Sequence, residues 1–178
     1  MNSSTTKKKP VNYVNNKDFH EAIVEYRKKV KKCEKEGKDP PRIPDFIGSC
    51  ILKIAQGLSN KPCFSSYSFK EEMISDAIEN AILYFHNYNP EMGQNPFAYF
   101  SQISYFAFLR RISREEEIRY SLYKNFQETI VNSYDTGLLT DSDGNHVLPT
   151  QLYDNINDFM ERFERKKQDK KLKRKKTK

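Results

Sequence analysis

The segment Phe69–Arg114 decides the fold; it reads FKEEMISDAIENAILYFHNYNPEMGQNPFAYFSQISYFAFLRRISR. It contains two helical patterns separated by Asn89–Pro96, where two prolines and one glycine interrupt any helix. Asn95 is predicted to cap the second helix, and Pro96 is predicted to begin it, because the first helical position needs no N–H. The segment is therefore predicted to form two helices joined by a tight turn.

Apolar residues recur at helical spacing in the first helix, which is predicted over Phe69–Asn87, and form a stripe that should face a core. The stripe consists of Ile74, Ala77, Ile78, Ala81, Ile82 and Phe85. A polar row repeats at the same spacing and consists of Glu72, Ser75, Asp76 and Glu79. On pattern alone, this row predicts an ordinary solvent-facing side of the helix.

Large apolar side chains surround most of the second helix. They are Phe97, Tyr99, Phe100, Ile103, Tyr105, Phe106, Phe108 and Leu109. Because a small domain rarely buries a helix on every side, some of them are predicted to reach solvent and to mark a binding surface. The helix then becomes basic, and aromatic rings beside arginines suit single-stranded nucleic acid. A buried core helix with a basic C-terminal end explains the same pattern equally well.

At these residues the chain resembles region 2 of bacterial sigma factors, the promoter-recognition subunits of RNA polymerase. Segment Ile47–Ala55 resembles the helix that opens this region, and Glu72–Asp76 resembles the motif that binds the coiled coil of the largest polymerase subunit. Segment Tyr99–Arg114 resembles the helix that melts and reads the −10 promoter element. Over Asn12–Tyr134, the chain is similar to the late-transcription sigma factors of large tailed bacteriophages.

The resemblance implies an all-α domain like sigma region 2 that recognises late promoters together with the core RNA polymerase of the infected bacterial host, in the host cytoplasm. It implies polymerase-facing side chains at Glu72, Ser75, Asp76, Glu79 and Asn80. It also implies DNA-facing side chains at Tyr99, Gln102, Tyr105, Phe106, Arg110, Arg111 and Arg114. The melting helix of the family usually carries tryptophans, whereas this chain has none, and Gln102 and Ile103 stand where those rings often lie.

Two other function classes compete with a promoter-recognition factor. One is a helical accessory protein that associates with polymerase or DNA without promoter specificity, and the other is a small helical enzyme. The sequence has no phosphate-binding glycine loop, no paired-histidine metal motif and no nucleophile elbow. Its three cysteines are widely spaced and fit neither a disulfide framework nor a zinc site. We therefore predict that the protein is not an enzyme and uses neither a cofactor nor a metal.

Composition changes along the chain predict five parts. Residues 1–16 should be disordered, 17–132 should form the helical domain, and 133–150 should form a loop or a small hairpin. An amphipathic helix is predicted over 151–165, and a basic disordered tail over 166–178. No apolar run is long enough to span a bilayer, and the N-terminal residues lack the apolar core of a signal peptide, so no membrane partner is expected.

Two further helices are predicted ahead of the central segment. The first extends the domain at its N-terminal side, over Lys17–Glu36, and Gly37 can terminate it. The second begins at Asp45. Its predicted core-facing residues are Phe46, Ile47, Cys50, Ile51, Ile54 and Leu58.

The amphipathic helix near the C-terminus has two interpretations. Its apolar face, formed by Leu152, Ile156, Phe159, Met160 and Phe163, predicts packing against the domain. Segment Ile156–Glu161 also resembles the epitope with which phage late sigma factors dock on the replication sliding clamp. That resemblance implies insertion of Ile156, Phe159 and Met160 into an apolar groove, and it adds a late coactivator to the expected partners.

Positive charge is concentrated at the C-terminal end. The chain has 31 Lys and Arg against 24 Asp and Glu, and Glu161–Lys178 contains 11 against 3 of them. The remaining 160 residues therefore carry 20 basic and 21 acidic side chains. A tail of this kind predicts a nonspecific nucleic-acid contact, and a solubilising role without a partner is the alternative.

Overall fold

A computed structural model describes residues 14–135 and 150–176, and within these ranges the protein is helical without a strand. The elements are α1 (Asn16–Lys35), α2 (Asp45–Ser59), α3 (Lys70–Leu83), α4 (Pro96–Asp135) and α5 (Thr150–Lys176). Two short 3₁₀ helices, Phe85–Asn87 and Pro90–Met92, lie between α3 and α4. The predicted all-α class is confirmed. Residues 1–13 lie outside the described part. So does most of the segment 133–150, for which a loop or a small hairpin was predicted; of this segment, residues 133–135 belong to α4 and residue 150 begins α5.

The chain forms two compact units, residues 1–111 and residues 112–178. The predicted boundary of the helical domain, residue 132, instead falls inside α4, which is 40 residues long and contributes to both units. After Pro96 at its first position, α4 contains no glycine or proline that would have marked this division.

Asparagine side chains fix the beginnings of two helices in the first unit. As predicted, Asn95 caps α4, because its Oδ1 accepts a hydrogen bond from the Ala98 backbone N–H at 3.2 Å. Asn15 caps α1 in the same way by accepting from the Lys17 N–H at 3.1 Å. The Asn16 side chain accepts from the Phe97 N–H at 3.2 Å and so ties the start of α1 to the start of α4.

An aromatic cluster forms the centre of the first unit. The Phe100 ring is fully buried, and its centroid lies 5.5 Å from that of Phe19, 5.8 Å from that of Phe85 and 6.0 Å from that of Tyr88. These rings come from α1, from the first 3₁₀ helix and from the turn that follows it. Ile23 and Ile47 extend the core into α1 and α2. Phe85 and Tyr88, which lie between α3 and α4, thus anchor the turn before α4 in the core.

Two apolar residues that were predicted to face the core are exposed instead. Phe46 is 48% exposed and Ile82 is 50% exposed. Each helix buries only one side, and the buried sides centre on Ile47 in α2 and on Met73, Ala77 and Ala81 in α3. Phe46 precedes Ile47 by one position and Ile82 follows Ala81 by one position, and one position corresponds to a rotation of about 100° around the helix.

The second unit pairs α5 with the residues of α4 from position 112 onward in an antiparallel arrangement. The Tyr120 and Phe163 rings stack with centroids 4.7 Å apart, and the Tyr123 and Phe159 rings meet edge to face at 5.4 Å. The Lys166 ammonium lies 2.9 Å from Glu116. Helix α5 continues to Lys176, so residues 166–176, for which disorder was predicted, are helical. Lysine and arginine are good helix formers, and the paired segment before them supplies the nucleus from which the helix propagates.

Substitution of Phe100 by alanine is expected to lower the free energy of unfolding by about 3–5 kcal/mol, because it empties a fully buried site. The control is Phe106→Ala, which removes a 49% exposed ring from the same helix and should change stability by about 0.5 kcal/mol or less. Urea denaturation followed by circular dichroism measures both variants. Equal losses for the two variants would contradict this assignment of the core.

Candidate functional site

The exposed side of α3 carries part of the predicted polymerase-binding set. Glu72, Ser75 and Glu79 are exposed and recur every three or four residues, which places them on one side of the helix. We refer to these three residues as the acidic face of α3. Asp76 and Asn80, which were predicted for the same surface, are only partly exposed.

Asp76 forms a bidentate salt bridge with Arg111 of α4. The Arg111 Nε and Nη2 atoms each donate to a different Asp76 carboxylate oxygen at 2.7 Å. The Asp76 side chain is 28% exposed and the Arg111 side chain is 18% exposed, so the pair is largely shielded from solvent. A planar guanidinium fork on a carboxylate is the strong form of this interaction. Asp76 is therefore a structural partner of α4, and not the freely exposed carboxylate that the polar row suggested.

A second contact joins the same two helices. The Arg110 Nη2 atom donates to the Asn80 Oδ1 atom at 2.7 Å, and the Asn80 Nδ2 atom donates to the Asp76 backbone carbonyl oxygen at 2.6 Å. Residues that the sequence assigned to two different surfaces, one for polymerase and one for DNA, thus contact each other. Part of the hydrogen-bonding capacity of both arginines is directed at α3.

Tyr99, a predicted DNA-facing residue, belongs to the packed side of α4. Its ring centroid lies 5.1 Å from that of Tyr88 and 5.2 Å from that of Phe100. Its hydroxyl group donates to the Tyr84 backbone carbonyl oxygen at 3.1 Å. Burial raises the pKa of the Tyr99 hydroxyl above its ordinary value. Tyr99 therefore stabilises the turn before α4 and offers little open ring surface to a ligand.

The opposite side of α4 is exposed and retains aromatic residues. Gln102, Tyr105, Phe106 and Leu109 all reach solvent, and we call them the outer face of α4. The Tyr105 ring rests edge-on against Phe64 with centroids 5.7 Å apart, which orients it. The prediction that some aromatic residues of this helix reach solvent is confirmed. Arg114 is also exposed and lies in the second unit.

An apolar groove that sequence reasoning missed lies beside the acidic face of α3. It has a volume of about 460 Å³ and is lined mainly by apolar residues, with Asp45 and Ser49 as its polar members. The other lining residues are Ile43, Pro44, Gly48, Ile51, Leu52, Ile78 and Ile82. Leu83, which is 67% exposed, follows Glu79 by one helical turn. The residues of the groove come from α2, α3 and the segment before α2, so only the tertiary packing assembles it. The sequence signal for this groove was the apolar stripe on α3, which includes Ile78 and Ile82 and is therefore wider than the side of the helix that the core buries.

The predicted clamp-docking residues are engaged in packing within the second unit. Ile156 is buried, Met160 is partly buried, and the Phe159 ring contacts both Tyr123 and the guanidinium carbon of Arg119, which lies 5.6 Å from its centroid. Gln127 donates a hydrogen bond to Asn157 beside them. Of the two interpretations of this helix, these contacts support packing, and docking on a sliding clamp stays a prediction.

Comparison with protein-family models and with curated proteins finds no match to this chain. Among residues 14–135 and 150–176, no helix combines the length and apolarity that a membrane crossing requires. Over the same residues, no three His, Cys, Asp or Glu side chains lie close enough together to hold a metal ion.

The salt bridge between Asp76 and Arg111 is expected to contribute a coupling energy of about 1–3 kcal/mol to stability, as for hydrogen bonds between charged groups. A double-mutant cycle of Asp76→Ala and Arg111→Ala, measured by urea denaturation, isolates this term. The control is the pair Glu25 and Lys29 on α1, which is nearly as short at 2.8 Å but well exposed, and which should show a coupling of only about 0.5 kcal/mol or less. Additive effects of Asp76→Ala and Arg111→Ala would show that the pair does not join α3 to α4.

Proposed function

We propose that the protein is a sigma-like transcription initiation factor. It binds bacterial core RNA polymerase through α3 and presents α4 to a −10-like late promoter element. The proposal rests on the resemblance of Glu72–Asp76 and Tyr99–Arg114 to sigma region 2 and on the surfaces that those segments offer. The catalytic chemistry in this scheme belongs to the polymerase.

The observation that carries the proposal is the combination of charge and apolar surface on α3. The acidic face of α3 lies next to the apolar groove of Ile78 and Ile82, with Leu83 exposed beside it. Exposed apolar surface flanked by charge is typical of a protein-binding site. A partner for this surface needs basic side chains opposite Glu72 and Glu79 and an apolar residue that fills the groove. A basic coiled coil of the polymerase meets that description.

The outer face of α4 supports a second, weaker part of the proposal. Tyr105 and Phe106 offer partly open rings on which unpaired bases can stack, and Gln102 offers both a hydrogen-bond donor and an acceptor. Arg110 is exposed at the end of this face and can approach a phosphate. These are the groups that would read and hold a melted strand.

One observation favours the alternative, a helical accessory protein that associates with polymerase or DNA without promoter specificity. Arg110 and Arg111 both donate hydrogen bonds to α3, and Tyr99 is packed against the core. The DNA-facing set is therefore smaller than the resemblance implies, whereas Glu72, Ser75 and Glu79 of the polymerase-facing set remain exposed on α3. Run-off transcription on duplex templates with core polymerase separates the two functions, because only the initiation factor directs a defined start site.

Charge reversal on the acidic face of α3 is expected to weaken binding to core polymerase. Glu72→Lys and Glu79→Lys should each lower the affinity roughly tenfold, because each places a like charge against the basic partner. Helical content should be unchanged, since both side chains are exposed. The control is Glu34→Lys, which makes the same change at an exposed position of α1. An affinity equal to that of the unmodified protein in both α3 variants would rule out this surface as the polymerase contact.

Loss of the exposed rings of α4 is expected to impair promoter opening. Phe106→Ala and Tyr105→Ala should each reduce open-complex formation by a factor that corresponds to about 1–3 kcal/mol, the contribution of one stacked base. A template with a pre-melted bubble should partly restore both variants, because it already meets the cost of strand opening. Permanganate footprinting of unpaired thymines measures the effect.

The control for this experiment is Leu122→Ala, which removes an exposed apolar residue from the same helix within the second unit. It should open promoters normally. If Tyr105→Ala and Phe106→Ala also open duplex promoters normally, the outer face of α4 does not capture bases.

A further inference from the structure

The last three turns of α5 carry an unusually dense positive charge. Residues 166–176 contain eight Lys or Arg and a single acidic residue, Asp169. They belong to a continuous helix, and Lys167, Lys170, Lys171 and Lys175 are all exposed. At 1.5 Å per residue these eleven residues extend over about 16 Å. The positive charges are therefore held on a rod of defined length.

The lysines of α1 provide a comparison, because they are similarly dense but several of them are paired with carboxylates. Lys29 lies 2.8 Å from Glu25, Lys31 lies 3.9 Å from Glu91, and Lys32 lies 4.0 Å from Glu36. The hydrogen bond and charge of Lys29, with a smaller contribution from the charge of Lys28, lower the pKa of the Glu25 carboxyl group. Part of the positive charge on α1 is thus offset by nearby carboxylates.

The end of α5 has no comparable set of acidic partners in the part of the chain that the structure describes. There, no carboxylate lies within 4.0 Å of Lys167, Lys170, Lys171 or Lys175, whereas Lys166 pairs with Glu116. Glu117 lines a small cleft with Lys167 and Lys170, which leaves the lysines in excess even at that point. The net positive charge of the protein is therefore displayed on this one helix end.

We infer that the end of α5, residues 166–176, binds the sugar-phosphate backbone of duplex DNA independently of sequence. Duplex DNA carries one negative charge per 1.7 Å of its axis, so about ten phosphates lie alongside a helix segment of 16 Å. The lysines on whichever side of α5 faces the duplex can each approach a phosphate and release a counterion. This contact would hold the protein on DNA without polymerase and without a promoter, so it goes beyond the proposed function and does not depend on it.

The same residues argue against a single strand and against a membrane as the partner. Segment 164–178 contains no aromatic residue, so it has no ring on which an unpaired base could stack. Its single apolar residue is Leu172, whereas a helix that lies in a lipid surface needs a full apolar face. Phosphates at the charge density of a duplex are therefore the best match.

The test measures binding of the full chain to a short fluorescent duplex of random sequence by anisotropy across a salt titration. The variant replaces Lys167, Lys170, Lys171 and Lys175 with glutamine, which preserves helix propensity. It is expected to bind at least about tenfold more weakly at low salt, and the slope of log K against log [salt] should shrink by about 2–4. The matched control replaces Lys28, Lys29, Lys31 and Lys32 of α1 with glutamine and should retain both the affinity and the slope.

An arginine variant and circular dichroism separate the loss of positive charge from a loss of helix. Replacement of the same four α5 lysines with arginine should preserve binding, and circular dichroism of all variants checks that α5 is intact. An equal loss in the α1 and α5 glutamine variants would show that only net charge matters, and it would overturn the inference. Tighter binding to a single strand of the same length, or to vesicles with anionic lipids, would also overturn it. A negative result for duplex binding by α5 would not contradict promoter-dependent transcription, so the two proposals can fail independently.

Discussion

The contact of the Phe100 ring with four other aromatic rings is the constraint on which the first unit depends. Phe19, Phe85, Tyr88 and Tyr99 surround it, and they come from α1, from the first 3₁₀ helix, from the turn and from α4 itself. Each pair adds to the free energy of burial, so the cluster fixes the turn and the direction in which α4 leaves it. The orientation of α4 then determines which of its other residues face solvent. Gln102, Tyr105, Phe106 and Leu109 must point outward.

The bidentate pair of Asp76 and Arg111 adds a second constraint between α3 and α4. Its short, shielded geometry holds the polar side of α3 next to the basic end of the first unit. Asn80 and Arg110 repeat the contact one helical turn away. The position of both guanidinium groups is therefore set by α3. A protein that binds the acidic face of α3 acts close to the side chains that hold Arg110 and Arg111 in place.

Local features of the fold could be predicted from the sequence, and pairings between distant residues could not. The cap at Asn95, the start at Pro96 and the left-handed Gly37, with φ of 68°, follow from residue types at single positions. Helical spacing identified α1 to α3 within a few residues. Spacing could not separate the partly buried, packed Tyr99 from the exposed Tyr105, because both lie on a helix that is apolar almost all round. Nor could it pair Asp76 with Arg111, 35 positions away.

The exposed rings also limit what the chain can do by itself. Two rings on the outer face of α4 can stabilise unpaired bases by about 1–3 kcal/mol each. Each base-pair step of DNA is held by about 1.4 kcal/mol of stacking on average, so opening five steps costs about 7 kcal/mol, which is more than Tyr105 and Phe106 together can return. Strand opening by this protein would therefore require free energy from a larger complex. In the proposed function, the acidic face of α3 would bind the partner that opens the duplex, and the modest aromatic face of α4 would capture the unpaired strand.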